Sequence, residues 1–152
     1  MANNTITTVS TTQSPDAKPV AKSLELTTNY STLITVPNFD IPELVFGGTT
    51  VEVPGVAEVI SPLLLSNKTA NTVYVDIRVF RYNDYSEEPA GNISESFSIA
   101  TNLPIGAHDV IAFPLNGQFF YNGDFLEAKA SDNSAIDATI SYTLGQAEEF
   151  LG

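Results

Sequence analysis

The chain of 152 residues contains no cysteine, no tryptophan, one histidine and only six basic residues. Without cysteine there is no disulfide, no thiol nucleophile and no thiolate metal ligand. Eighteen acidic residues against six basic ones give a net charge of −12, and such a chain cannot present the basic surface that nucleic-acid phosphates require. The sequence therefore predicts no catalytic residues, no metal, no cofactor and no nucleic-acid partner.

Two groups of polar residues could still carry chemistry. His108 and Asp109 are adjacent on a predicted strand, so their side chains point to opposite faces and the carboxylate cannot orient the imidazole. Three carboxylates, those of Asp84, Glu87 and Glu88, lie close together in one predicted loop, but their spacing does not match an EF-hand calcium loop. A surface histidine and a solvated acidic loop are the favoured interpretations.

Long hydrophobic stretches are missing as well. No apolar run approaches the roughly 20 residues that span a bilayer. The first residues, Met1 to Thr5, have neither the basic nor the apolar part of a signal peptide. We therefore expect a protein that is made in a cytoplasm and has no membrane contact.

What the chain does contain is a series of short, β-branched segments that end at turn-forming residues. Residues 73–79 and 136–144 alternate apolar and polar side chains with a period of two, which is typical of strands with one buried face. Pro62 interrupts the run 56–67, which indicates an edge strand, two strands or a bulge. Roughly eight short strands predict an all-β fold, an antiparallel β-sandwich of immunoglobulin-like or jelly-roll-like architecture.

Two Asn-Gly pairs, Asn116-Gly117 and Asn122-Gly123, separate short strands in the second half of the chain. Asn-Gly favours the type I′ hairpin turn, in which both central residues have positive φ. Residues 96–130 are therefore predicted to form a meander of antiparallel strands.

The first 28 residues differ in composition from the rest. Nine of the first fourteen are Ser, Thr or Asn, and two prolines follow. Low hydrophobicity predicts an N-terminal arm over residues 1–28 that is extended or disordered. Both a frayed terminus and an arm that orders on a neighbouring subunit are open interpretations. The β-sandwich domain then comprises residues 29–145, and residues 146–152 form a C-terminal tail.

Aromatic residues indicate a candidate interface. Phe119, Phe120 and Tyr121 are consecutive, so a strand here places aromatic rings on both faces. One face can enter the core, while the other, with Tyr82 and Tyr85 nearby in the sequence, is a candidate surface for protein contacts or sugar binding. A strand that is buried on both faces is the alternative.

Negative charge is concentrated in the second half of the chain. Residues 82–152 carry eleven acidic side chains and one basic side chain. Like charges repel when identical subunits meet. We therefore expect a homo-oligomer to make its self-contacts through the neutral arm and the apolar segment 54–62.

Several segments resemble small β-sandwich structural proteins in the virions of tailed bacteriophages, especially phages that infect marine bacteria and cyanobacteria. They cover most of the chain between residues 32 and 143: LITVP at 33–37, LLLSNKTANTVYV at 63–75, LPIGAHD at 103–109, NGDFLEAKAS at 122–131 and IDATISY at 136–142. The chain departs from these proteins in an insertion at residues 39–55 and in the acidic loop at residues 84–91.

The resemblance implies a non-enzymatic virion structural protein that assembles on the neck, the tail or the capsid through protein–protein contacts. Its partners would be the portal or neck, tail or major capsid proteins and further copies of itself, and it would reach the virion after synthesis in the host bacterial cytoplasm. The first alternative is a carbohydrate-binding module for host-surface recognition, which requires exposed aromatic rings beside Asn and Asp side chains. The second is a small hydrolase, which requires convergent carboxylates in a pocket.

Overall fold

The computed structural model describes residues 18–46, 49–83 and 93–146, and these residues form strands, turns and connecting segments without a helix. No helix that could cross a membrane is therefore found in this part of the chain. The prediction of an all-β fold is confirmed. The strands in chain order are β1 (Lys18–Glu25), β2 (Ser31–Thr35), β3 (Asn38–Phe46), β4 (Thr49–Val59), β5 (Leu63–Asn67), β6 (Val73–Asn83), β7 (Ile93–Ile105), β8 (Val110–Phe113), β9 (Phe119–Tyr121), β10 (Phe125–Ala130) and β11 (Ile136–Gln146).

The strands form two antiparallel sheets that share one apolar core. The four-stranded sheet has the order β2-β10-β6-β7. The seven-stranded sheet follows the path β3-β4-β11-β5-β8, with β1 paired to β11 and β9 paired to β4. Two pairs of its strands lie end to end and each pair forms one row of the sheet. β4 and β5 share the row beside β11, and β9 and β8 share the next row, where β9 pairs with β4 and β8 pairs with β5. Besides β3, the sheet therefore has four rows.

The order of these rows distinguishes between the two predicted architectures. The two sheets contain eight rows when β3 is left out and when β4 with β5 and β8 with β9 each count as one row. If these rows are numbered in chain order, the seven-stranded sheet has the order 1-8-3-6 and the four-stranded sheet has the order 2-7-4-5. This is the order of a jelly roll, a sandwich built from two Greek keys, and it differs from the order of the immunoglobulin fold. β3 and the first half of β4 form a hairpin between rows two and three, where the sequence has its insertion at residues 39–55.

The two segments with a period of two supply much of the core, as predicted. Their inward residues are buried and pack in one cluster to which both sheets contribute. Removing such side chains from water is worth roughly 25 cal/mol per Å² of apolar surface, which makes this cluster the main source of stability. Its members from β6 and β11 are Val73, Val75, Ile77, Val79, Ile136, Ala138, Ile140 and Tyr142.

Pro62 divides one row of the sheet into two strands. The backbone N–H of Ile60 donates to the carbonyl of Ser141 at 3.0 Å, and the hydroxyl of Ser61 accepts from the N–H of Ser141 at 2.9 Å. The serine hydroxyl thus replaces a main-chain acceptor where the proline interrupts the pairing. Among the three interpretations of the run, the structure selects two strands joined by a short irregular link.

The prediction of an arm over residues 1–28 is wrong from Lys18 onward. β1 pairs with β11 in continuous register from Lys18 opposite Leu144 to Glu25 opposite Asp137. Val20 and Leu24 pack against the core, so a segment of polar composition is ordered by two apolar side chains and eight paired residues. Residues 1–17 of the predicted arm and residues 147–152 of the predicted tail lie outside the described residues.

The predicted type I′ turns and the meander are also wrong. Gly117 and Gly123 have positive φ values of 92° and 93°, whereas neither preceding asparagine does. The N–H of Asp124 donates to the carbonyl of Tyr121 at 2.8 Å, and a positive φ at the second central residue alone identifies a type II turn. The hairpin turn is not required, because β8, β9 and β10 pair with β5, β4 and β6 rather than with one another.

Candidate functional site

The structure separates the aromatic residues that were predicted to share an interface. Phe120 is buried in the core, so its assignment to the interface is wrong. Phe119 and Tyr121 lie on the outer face of β9, where their rings stack with centroids 6.4 Å apart. Tyr82 lies beside the turn at Gly123, and Tyr85 lies outside the described residues.

A buried carboxylate organises the turn that follows β9. Asp124 accepts hydrogen bonds from the backbone N–H of Tyr82 at 2.8 Å and from that of Tyr121 at 2.9 Å. The guanidinium of Arg81 donates to the same carboxylate at 3.0 Å and to the carbonyl of Phe119 at 2.8 Å. The oxygens of Asp124 are therefore occupied, and the residue clamps the turn against the end of β6.

A buried amide joins the segments 63–75 and 103–109. Asn67 donates through its side-chain nitrogen to the carbonyls of Ile105 at 2.9 Å and Asn71 at 2.8 Å. Its side-chain oxygen accepts from the N–H and the hydroxyl of Thr69 at 2.9 and 2.8 Å. The Asn and Thr of the segment 63–75 thus hold their own loop against the turn of the segment 103–109.

His108 and Asp109 do not form a catalytic pair. Both are exposed in the turn before β8 rather than on the strand itself. The backbone N–H of His108 donates to the carbonyl of Thr69, and the carboxylate of Asp109 accepts from the N–H of Val110. In the described part of the chain, no three His, Asp or Glu residues are grouped to hold a metal; Asp84, Glu87 and Glu88 lie outside that part.

An apolar groove opens between the edges of β7 and β8, and we call it the β7–β8 groove. Phe97 points toward the other sheet, because its cross-strand neighbour Val79 is buried, yet Phe97 remains 48% exposed and Ile99 remains 38% exposed. The opening exists because β8 has four residues and cannot cover the thirteen residues of β7. The groove has a volume of about 490 Å³ and is lined by Val79, Arg81, Phe97, Ile99, Phe113, Pro114, Leu115, Gln118 and Phe120.

A second, polar cleft lies on the outer face of the four-stranded sheet, and we call it the Tyr74 cleft. The ring of Tyr74 is 45% exposed. The carboxylate of Asp76 accepts from the backbone N–H of Asn102 at 2.7 Å and lies 4.0 Å from the ammonium of Lys129. Asn102 has a positive φ of 51°. The cleft has a volume of about 290 Å³ and is lined by Thr28, Tyr74, Asp76, Asn102, Lys129, Ala130 and Ser131.

The face beside this cleft is held by contacts between cations and aromatic rings. The guanidinium of Arg78 lies 3.6 Å from the ring centroid of Tyr30 and donates to the carboxylate of Glu127 at 2.8 Å. The rings of Phe80 and Phe125 stack with centroids 4.5 Å apart. These side chains cover one another, and the ring of Tyr74 is the one left exposed beside them.

The segment 54–62 is not the free edge that the charge distribution suggested. Residues 55–59 pair with β11, and residues 56–58 also pair with β9. Val56, Ala57 and Val59 are buried. Residues 56–58 therefore offer no free strand edge to a second copy, because strands already pair on both of their sides.

No protein-family model matches the chain, and no curated protein matches it at a significant level.

Proposed function

We propose that the protein is a non-enzymatic structural protein of a tailed-bacteriophage virion, which assembles on the neck, the tail or the capsid through protein–protein contacts. The observation that carries this proposal is the β7–β8 groove. Apolar surface that stays exposed in one continuous patch marks sites of protein interaction. Among the described residues that line it, Arg81 is the one with a charged side chain, so this lining offers few polar groups that could orient a small substrate.

The fold is compatible with this role. Jelly rolls form many viral capsid domains and also many lectins, so the architecture alone does not decide between assembly and sugar binding. The segments that resemble phage virion proteins favour assembly. These segments include the loops that Asn67 and Asp124 hold in place. The polar residues of the segments thus have a structural role, as is expected in a virion structural protein.

The buried polar groups support a non-enzymatic role. Asn67 and Asp124 are the buried polar side chains among the described residues, and both are engaged by neighbouring backbone groups. A general acid or base must instead reach a substrate proton from a pocket. The geometry of these two residues is that of structural clamps.

Quantitative mass spectrometry of purified particles tests the proposal. We expect the chain in the particles of the phage that encodes it, at a constant ratio to the portal protein, and that ratio distinguishes neck, tail and capsid positions. The infected-cell lysate is the control for expression. A protein that is abundant in the lysate and missing from the particles would refute a virion role.

The Tyr74 cleft supports carbohydrate binding as a second candidate function. An exposed aromatic ring can stack on a sugar, and the neighbouring carboxylate, amide and ammonium groups could bind its hydroxyls. These groups come from Asp76, Asn102 and Lys129, which line the cleft beside the ring. The combination of ring and polar groups is the one that the carbohydrate-binding alternative requires.

Binding to an array of bacterial surface glycans tests this second function. The replacement Tyr74→Ala should abolish binding if the cleft is the site. Tyr121→Ala is the matched control, because Tyr121 is 50% exposed and lies on the other sheet. A wild-type protein that binds no glycan, or a Tyr74→Ala variant that binds unchanged, would exclude the cleft as a sugar site.

A further inference from the structure

We infer that β7 is a self-association edge: a second copy of this chain pairs antiparallel with it about a two-fold axis at Phe97 and covers the β7–β8 groove. This deepens the proposed function, because it names one partner in the assembly and the surface that this partner uses. Its experiment requires only the purified chain. Failure of the dimer and failure of the virion role are therefore distinguishable.

β7 is the least protected strand edge in the described residues. Proteins protect free edges with proline, lysine or very short strands. β1 contains Pro19, β3 contains Pro42, β2 has five residues and β8 has four. β7 has thirteen residues and no lysine, and its one proline, Pro104, lies near the far end of the strand. Its first six residues, 93–98, pair with β6 in unbroken register.

The same strand carries the apolar side chains that remain uncovered. Phe97 and Ile99 are partly exposed at the mouth of the groove, directly beside the edge of β7 that pairs with no strand among the described residues. Pairing of a second strand at this edge would satisfy those groups and cover the side chains together. The edge and the groove are therefore one surface rather than two.

The distribution of charge favours a second copy as the occupant. The chain has a net charge of −12, and most pairs of surfaces on identical subunits would repel. β7 contains a single charged residue, Glu95, and the residue opposite it in the sheet is Arg81. Along residues 95–99, two copies can therefore pair without placing acidic side chains directly opposite each other.

A two-fold axis at Phe97 gives a consistent register. The two Phe97 rings lie opposite each other on the groove side, and Ser96 of one copy lies opposite Ser98 of the other on the outer side. Glu95 then lies opposite Ile99, and the two Glu95 residues are about 13 Å apart along the strands at 3.3 Å per residue. That separation exceeds the Debye length of about 8 Å at physiological salt, so their repulsion is screened.

The register shifts in β7 set the length of the contact. The pairing with β6 shifts at the step from Ser98 to Ala100 and again before Leu103. Such bulges twist an edge away from a straight partner. The self-pairing is therefore short and centred on Phe97. Most of the apolar surface that the two copies bury comes from their β7–β8 grooves, which join across the contact.

Sedimentation equilibrium of the purified full chain tests the inference. We expect twice the monomer mass of 16.3 kDa at concentrations up to about 1 mM, where even a weak contact is populated. Phe97→Asp places two carboxylates opposite each other at the axis and should give a monomer with an unchanged circular dichroism spectrum. Val110→Asp is the matched control, because Val110 is 56% exposed on the edge of the other sheet, and it should remain dimeric. A monomeric wild type, or a dimeric Phe97→Asp variant, overturns the inference.

An introduced thiol tests the register, because the natural chain contains no cysteine. Residues directly opposite in an antiparallel pair have Cβ atoms about 4.5–5.5 Å apart, which is near the reach of a disulfide. Phe97→Cys should therefore form a linked dimer on mild oxidation, while Val110→Cys should not. Cross-linking at residue 110 in place of residue 97 would assign self-association to the other sheet and overturn the inference.

Discussion

The side-chain nitrogen of Asn67 donates a 2.9 Å hydrogen bond to the carbonyl of Ile105, and both residues are buried. This contact joins the end of β5 to the end of β7, across the two sheets of the sandwich. The same nitrogen also contacts the carbonyl of Gly106 at 3.0 Å. One amide thus satisfies carbonyls that would otherwise be buried without a donor.

Replacement of Asn67 by alanine should destabilise the fold. The change leaves the buried carbonyl of Ile105 and the partly buried carbonyls of Asn71 and Gly106 without this donor, which costs about 3 kcal/mol on the usual scale of unsatisfied groups. Urea denaturation followed by circular dichroism measures the loss. Asn29→Ala is the control, because Asn29 is exposed, and its midpoint should stay close to that of the wild type. Equal midpoints for the two variants would contradict the assigned role of the amide.

Replacement of Asp124 by asparagine should also destabilise the fold, although the side chain keeps its shape. The carboxylate accepts from three donors, and an amide presents its own N–H groups to at least one of them. We expect a loss of about 3 kcal/mol in the free energy of unfolding. Asp132→Asn, in the exposed turn before β11, should change the thermal midpoint little. A stable Asp124→Asn variant would show that the clamp is dispensable.

The two turn glycines should differ in their tolerance of alanine. Both have φ near +90°, but a Cβ at Gly117 meets nothing within 4 Å, whereas a Cβ at Gly123 lies 2.7 Å from the ring of Tyr82. Gly117→Ala should cost about 1 kcal/mol through backbone strain alone. Gly123→Ala adds a steric clash, and we expect about 2–3 kcal/mol in total. Chemical denaturation of both variants measures the difference, and equal losses would mean that Tyr82 moves away freely.

The hydrogen bond from Lys68 holds the pKa of Glu25 below its ordinary value of 4.5, and the hydrogen bonds to Glu25 and Asp137 raise the pKa of Lys68 above 10.5. The ion pair between Glu25 and Lys68 therefore stabilises the fold between pH 4.5 and pH 10.5. It is lost as the pH falls through the lowered pKa of Glu25 or rises through the raised pKa of Lys68. Because these groups are exposed, the contribution is small and sensitive to salt.

An NMR titration of the Glu25 carboxyl carbon measures this effect. In the wild type the midpoint should lie below 4.5, and Lys68→Met should return it toward 4.5. Lys22→Met, on the same strand β1, is the control and should leave the midpoint lowered. A midpoint that does not move in the Lys68→Met variant would contradict the coupling.

Much of the fold was predictable because alternation in the sequence is a local property. The inward positions of residues 73–79 and 136–142 are buried as the period of two requires. Pro62 was equally informative, since its missing N–H interrupts the row of β4 and β5. Errors arose where pairing partners lie far apart in the chain: β1 is ordered by β11, more than a hundred residues away, and composition alone does not show that.

The candidate sites were less predictable. Three consecutive aromatic residues correctly predicted a strand with rings on both faces, but the pattern did not show that Phe120 is the one in the core. The sequence does not distinguish Phe97 and Ile99, because two apolar residues among serines also fit an ordinary half-buried strand. Their exposure results from the shortness of β8, which lies on the other sheet.

Short-range patterns in the sequence therefore determine the class of the fold, the buried faces of its main strands and the positions of its turns. They can do so because side-chain alternation and glycine conformation act over a few residues. The row order of the jelly roll, the inclusion of β1 and the open groove depend on which strands meet across the molecule. Those contacts are selected by the burial of a shared core and by the need to pair every main-chain group within it. In the described part of the chain, the edge of β7 at Phe97 has no partner strand, and its side chains stay partly exposed because β8 in the seven-stranded sheet is shorter than β7.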